Sequence, residues 1–343
     1  MSNYDFIQKR KREQHLFIVE GNHEKNELLN LLLQCFPEMN IKSENIVIYG
    51  TNIYDLHARI VKEYGEDWAD TDVDLPYVIS KMKNLEEVWY KDNFINIFLL
   101  FDYERQDPYF SDCTIDKLQK YFLDETDTGK LYINYPMVES YWDSFDSLEE
   151  PFCQKKVMLP FKNGNAYKLK TEKSQIAQAV QFPERLNDVL EKQYGIHDSR
   201  TRQECINQIL SLKESDSLLE KIEEILKDKV DERLLKTAKY FVRDKVIKIG
   251  YSERMVTYIE FMRKEFCKII YRNIRKANLI QNGEYNVPCN DMKESLYNLD
   301  FSMILNEQNN CSRDEKNGFV WVLNTSVLLV PNYAFSLIQQ KCH

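Results

Sequence analysis

The chain of 343 residues reads as an α/β protein: a parallel sheet of Rossmann-like character over residues 1–150, then a mostly α-helical region over residues 151–343. Three observations predict this. Short apolar runs alternate with amphipathic stretches through the first 150 residues, the signature of strand–helix units laid into a parallel sheet covered on both faces. Two of those runs, Phe17-Ile18-Val19 and Leu99-Leu100-Phe101, stop directly on acidic residues. Beyond residue 150 the apolar period lengthens to three and four, as on a helix face.

Residues 15–19 form the first expected strand, Gly21-Asn22 a turn, and Leu28, Leu29, Leu31, Leu32 and Leu33 the apolar side of a helix. Residues 46–49 are the second strand, followed by Gly50-Thr51-Asn52 and a helix with Ile53, Leu56, Ile60 and Val61 on one side. Asn52 suits an N-cap there, or a place in the ligand crevice. Residues 66–74 read as a solvated acidic loop. The third strand covers residues 94–101, and a helix with Ile115, Leu118, Tyr121 and Phe122 comes after it. Residues 131–133 are the fourth strand, and Pro136 suits the start of another helix. Pro151 and the turn at 162–165 mark a boundary region. Helices then run over about 173–280, and their apolar and aromatic stripes fit core packing better than base stacking. The runs 318–323 and 327–331 look like buried strands or a docking segment.

Composition narrows the function classes. An apolar fraction of 43% supplies a core, which excludes wholesale disorder. The eight cysteines stand singly, with no Cys-x-x-Cys pair, which argues for reduced thiols and against structural zinc. With no long apolar run and no leader pattern, a soluble cytoplasmic protein without membrane contact is expected. The net charge of −9 is uneven: residues 51–150 carry 23 Asp/Glu against 9 Lys/Arg, while residues 221–277 carry 16 Lys/Arg against 9 Asp/Glu. The later region reads either as a basic face for a polyanion such as nucleic acid or, equally well, as a solvated helix surface of mixed charge. No Gly-x-Gly-x-x-Gly, Walker motif or Gly-x-Ser-x-Gly is present, which disfavours nucleotide-dependent and serine-nucleophile chemistry. His15, His57 and His197 lack metal-ligand spacing, and His23 reads as an exposed first-turn residue.

The acids carry the functional signal. In parallel sheets ligands gather at the carboxyl ends of the strands, where Glu20 and Asp102 fall. Glu24 lies one helical turn beyond Glu20, Asp102 and Glu104 share a side if the chain stays extended, and Glu139 follows the fourth strand. Hard oxygen donors with few histidines suit Mg²⁺ or Mn²⁺.

In Val19-Glu20-Gly21-Asn22-His23-Glu24 and Asp102-Tyr103-Glu104 the chain resembles the TOPRIM domain, the metal-binding module of topoisomerases, primases and OLD-type nucleases. The likeness covers residues 14–146 and is nearest to anti-phage effectors of the OLD, RloB and PARIS-effector type, where a Pro-x-x-Glu helix like residues 136–139 recurs. The second motif has Glu104 where the family carries Asp. The resemblance implies a metal-dependent nuclease acting on RNA (tRNA included) or DNA as an abortive-infection effector. It places Asp102, Glu104 and Glu20 in catalysis and Glu20, Glu24, Asp102, Glu104 and Glu139 around Mg²⁺ or Mn²⁺. It also implies a homodimer and a partner ATPase of ABC type. The other reading from the residues is a non-catalytic TOPRIM-like subunit whose acids are structural.

Overall fold

The structure is a computed structural model that describes residues 14–41, 46–147, 150–159, 164–213, 217–314 and 316–339. The turn expected at 162–165 lies partly outside these residues, since Lys162 and Asn163 are not among them.

The fold is mixed α/β with a mostly parallel central sheet. Its strands are β1 (His15–Val19), β2 (Ile46–Ile48), β3 (Asn96–Asp102), β4 (Leu123–Asp124), β5 (Gly129–Tyr135) and β8 (Leu323–Asn324). Their order is β2-β1-β3-β5-β4, with β8 also on β5. β1 runs parallel to β2 and β3, and β3 parallel to β5; β4 and β8 run antiparallel to β5. The register sets Val19 beside Leu100 and Asp102 beside Asn134, so the β1 and β3 ends meet at one edge of the sheet. A separate pair joins β6 (Lys156–Met158) to β7 (Phe319–Trp321).

Apolar side chains on both sheet faces explain the continuous runs: Phe17, Ile18, Leu99, Leu100 and Phe101 are fully buried. Helix Ile53–Tyr64 begins where Asn52 Oδ1 accepts the Tyr54 and Asp55 N–H groups, and Gly65 at φ +86° ends it. The acidic stretch 66–74 is solvated at Glu66, Asp67, Asp70 and Asp72, as expected, but it is anchored at intervals. Trp68 is fully buried, Tyr121 Oη donates to Thr71 O and accepts from Val73 N–H, and Asp74 caps a helix that the sequence pattern missed, Leu75–Met82.

Two further expectations change. Residues 327–331 are helical, not a strand: a 3₁₀ turn Ser326–Leu328 leads into helix Leu329–Tyr333. Asn134 Oδ1 accepts from Ser326 N–H and Oγ, and Thr325 Oγ1 donates to Ile133 O, so the chain leaves the sheet just ahead of the apolar run. Pro136 stands two residues before a 3₁₀ helix, Val138–Asp143, and does not open an α-helix.

Two compact units are present: residues 1–169 with 268–343, and residues 170–267. This partition differs from a division at 150. The C-terminal segment belongs with the sheet because β8 pairs with β5 and because Ile304, Leu305, Val320 and Leu323 join the sheet's own core. The second unit is helical. It comprises Gln175–Val180, Phe182–Lys192, Ser199–Leu210, Leu218–Leu226, Glu232–Ile249 and the first turns of Tyr258–Asn282. Tyr251 and Tyr258 are buried there, donating to Ile209 O and Ala179 O, so these aromatics are core. No helix among the described residues is long and apolar enough to cross a membrane.

Candidate functional site

Glu20 is the first residue past β1, held by its backbone on both sides: its N–H donates to Leu100 O (3.3 Å) and its carbonyl accepts from Gly50 N–H (2.8 Å). Its Oε2 accepts the Asp102 N–H at 3.3 Å, which ties the two acid-bearing strand ends together. Glu24 opens a helix that is wound as a π-helix over Glu24–Leu29 before tightening to α over Asn30–Cys35. Such wide turns recur at functional sites. Glu24 Oε2 accepts the Gly21 N–H at 2.8 Å, and a Cβ at Gly21 would stand 3.3 Å from that oxygen.

Asp102 ends β3, is only 8% exposed, and its Oδ1 is buried without a partner. Glu104 does not continue the extended chain. Its φ is +41°, a left-handed conformation that costs a non-glycine residue on the order of 1 kcal/mol. The strain is held by Tyr103, whose N–H donates to Asn134 O, whose carbonyl accepts from Tyr54 Oη, and whose Oη donates to Asn309 Oδ1. The sidedness argued from strand alternation therefore stops at Asp102. Glu139 is carried by the 3₁₀ helix Val138–Asp143, which is pinned by Asn324 Nδ2 donating to Val138 O and by Tyr141 Oη donating to Glu27 O.

The five acids stand within electrostatic reach of one another. Burial pushes the Asp102 carboxyl well above its usual range, and Glu20, Glu24, Glu139 and Glu104 each push it further. Burial likewise raises Glu20 strongly, with Glu104, Glu24 and Glu139 adding to it and the Asp102 N–H opposing. Burial raises Glu24 and Glu104 too; backbone N–H groups offset part of it at Glu24, and Asn52 offsets part of it at Glu104. Glu139 differs. Burial opposes its ionisation, but His23 and Lys168 outweigh burial and hold its carboxyl below the usual range.

His23 is not an exposed first-turn residue. It is 21% exposed, with Nδ1 2.6 Å from Glu27 Oε1 and Nε2 2.8 Å from Glu139 Oε1. Burial alone would lower its pKa, but the two carboxylates raise it to about 9. The sign follows. The imidazolium stabilises the fold fully below an unfolded value of 6.5, and the contribution is lost as pH rises through about 9. His23→Gln is therefore expected to cost about 3 kcal/mol in thermal melts near pH 6 and little above pH ~10. A pH-independent loss would contradict the ion-pair account.

Lys168 completes the surroundings, its Nζ 2.8 Å from Glu139 Oε1. It, Glu27 and Asn134 were not singled out by the sequence pattern; Lys168 stands 29 positions from Glu139 on another helix, and no local signal marks it. Asn52 acts as the N-cap of its helix through Oδ1, while its Nδ2 donates to Asp107 at 2.7 Å. Arg105 is turned away from the acids, donating to Ser312 Oγ and lying over the Phe110 ring at 4.2 Å.

As placed, no three His, Cys, Asp or Glu side chains among the described residues form a ready-made cation cage. Glu24 is engaged by Gly21, and Glu139 by His23 and Lys168. The donor set nonetheless fits a hard divalent cation. Asp102 Oδ1 is buried and unpartnered, and the crowded carboxyls carry repulsion that a cation relieves. Comparison with protein-family models, with curated proteins and with solved structures found no match for this chain.

Proposed function

We propose that the chain is a metal-dependent nuclease whose carboxylates at the β1 and β3 ends bind Mg²⁺ or Mn²⁺ and act on nucleic acid phosphodiesters. The observation that carries this reading is the buried, unpartnered Oδ1 of Asp102 among four further acids. Asp102, Glu20 and Glu104 would hold the ion, with Glu24 and Glu139 joining if they release Gly21, His23 and Lys168. When bound there, such an ion would supply a water of lowered pKa and offset charge on the phosphate. Glu20 stands beside the Asp102 end of β3, as ligand or as acceptor of the attacking water's proton. His23 places a positive charge beside the acids and orients Glu139. The TOPRIM likeness extends the proposal to a cytoplasmic, homodimeric effector of anti-phage defence that works with an ABC-type ATPase.

A non-catalytic subunit is the second reading. It is favoured by the Lys168–Glu139 ion pair, which already supplies a cation to one of the acids. Cleavage separates the two. With Mg²⁺ or Mn²⁺ the protein is expected to cut RNA or DNA, and Glu20→Ala to slow cutting at least about 10³-fold with the melting curve intact. Undiminished cutting by Glu20→Ala removes that carboxylate from the chemistry, and no cutting of either polymer by the parent protein favours the second reading.

A further inference from the structure

The helical unit holds a cavity of about 370 Å³ lined by helices Phe182–Lys192 and Glu232–Ile249, a size within the range of small-ligand sites. Its charge is lopsided: Arg185, Lys192, Lys245 and Lys248 face it against Asp188 alone. Lys192 is answered by Asp188 at 2.6 Å, and Arg185 by Glu172 at 3.3 Å. Among the described residues Lys245 and Lys248 are in no ion pair; both are exposed, one turn apart on the same helix. Two ammonium groups one turn apart suit more than one negative charge, which a phosphomonoester supplies alone and a strand supplies through successive phosphodiesters, and which a single carboxylate does not.

The walls specify the rest of the ligand. Half-buried Phe241 gives aromatic surface, with Lys245 already 5.1 Å over its ring, and the buried Phe182, packed on Tyr251 and Tyr258, forms the floor. Gln178 and Gln193 bring amides into the same cavity. Gln178 uses its NH₂ on Lys173 O, which leaves its carbonyl as an acceptor. An alkyl chain would strip water from those amides and return nothing, whereas the edge of a heteroaromatic ring hydrogen-bonds to them.

We propose that this cavity is a nucleotide site, taking an aromatic base against Phe182 and Phe241 and its phosphate on Lys245 and Lys248. The inference does not rest on the nuclease reading, since none of these residues belongs to the acidic cluster. One chemistry has two sources here, a free nucleotide or a nucleotide within a single strand.

The test uses the whole 343-residue chain in EDTA, so that divalent ions make no contribution, with calorimetric titration of AMP, adenosine, laurate and a short oligoadenylate. AMP is expected to bind saturably, with adenosine at least about tenfold weaker for want of the phosphate. Lys245→Gln with Lys248→Gln is expected to weaken AMP at least about tenfold at an unchanged melting temperature, and Arg233→Gln on the same helix to leave it unchanged. Equal affinity for AMP and oligoadenylate assigns the site to free nucleotides; much tighter oligoadenylate assigns it to a strand. No saturable binding of either, binding indifferent to the two lysines, or laurate bound as tightly as AMP overturns the proposal.

Discussion

Asp102→Asn is expected to melt at a higher temperature than the parent protein in metal-free buffer near pH 8, by about 1 kcal/mol or more of added stability, while slowing cleavage at least about 10³-fold. Both effects have one origin. The Asp102 carboxyl is buried, its Oδ1 has no partner, and Glu20, Glu24, Glu139 and Glu104 surround it. Its folded pKa therefore lies above the unfolded value of 3.8, so the folded state holds the proton more tightly. Stability from that proton is fully present below pH 3.8 and is lost as pH rises through the folded value. The amide keeps the shape, removes the charge, and so removes the loss. Melts from about pH 4 to about pH 8 in EDTA check this, because the variant's curve should fall less steeply with pH than the parent's. A variant less stable than the parent at the upper end would mean that the aspartate is structural.

Lys276→Met is expected to destabilise the sheet-bearing unit by about 1–3 kcal/mol, the loss of its hydrogen bonds outweighing the relief from removing a buried charge. Lys276 is fully buried, and its Nζ donates to Phe152 O (3.0 Å), Cys153 O (2.7 Å) and Lys155 O (3.0 Å). It also lies 4.3 Å over the Trp321 ring. Three acceptors match the three N–H donors of an ammonium, although burial pushes the pKa down to about 7. Methionine fills similar volume, but Phe152 O and Lys155 O each lose one of two donors, keeping the Lys155 and Val322 N–H groups, and Cys153 O loses the ammonium that serves it. The same segment holds the buried Lys155–Asp143 pair at 2.6 Å, so the loss of Lys276 loosens the ground on which β6 and the Glu139-bearing 3₁₀ helix stand. Chemical denaturation measures it; a loss under 1 kcal/mol would show that water replaces the ammonium at little cost.

The parts of the fold that could be read from the chain are those set by local pattern. β1, β2, β3 and β5 each correspond to an apolar run, and Asn52 has the chemistry of a cap and acts as one. What could not be read depends on distant partners. β4 and β8 are two residues each and exist through pairing with β5. Residues 327–331 are apolar enough for either state, and it is Asn134, nearly 200 positions away, that accepts from Ser326 as the helical turn begins. The acids Glu20, Glu24, Asp102, Glu104 and Glu139 were visible because each follows a strand or opens a helix. Their company was not: Lys168 reaches Glu139 from another helix, Arg105 points to Ser312, and the left-handed turn at Glu104 depends on Tyr103 being locked by Asn309.

Everything functional proposed for the acidic cluster needs a divalent ion at that spot, and diffraction at the manganese absorption edge from crystals grown with Mn²⁺ looks for it there. The predicted result is an anomalous peak at coordination distance from Asp102 Oδ1 and a Glu20 carboxylate oxygen, absent from Asp102→Asn crystals grown alongside. Manganese bound elsewhere, or no peak at saturating Mn²⁺ with Lys168 still on Glu139, would contradict it.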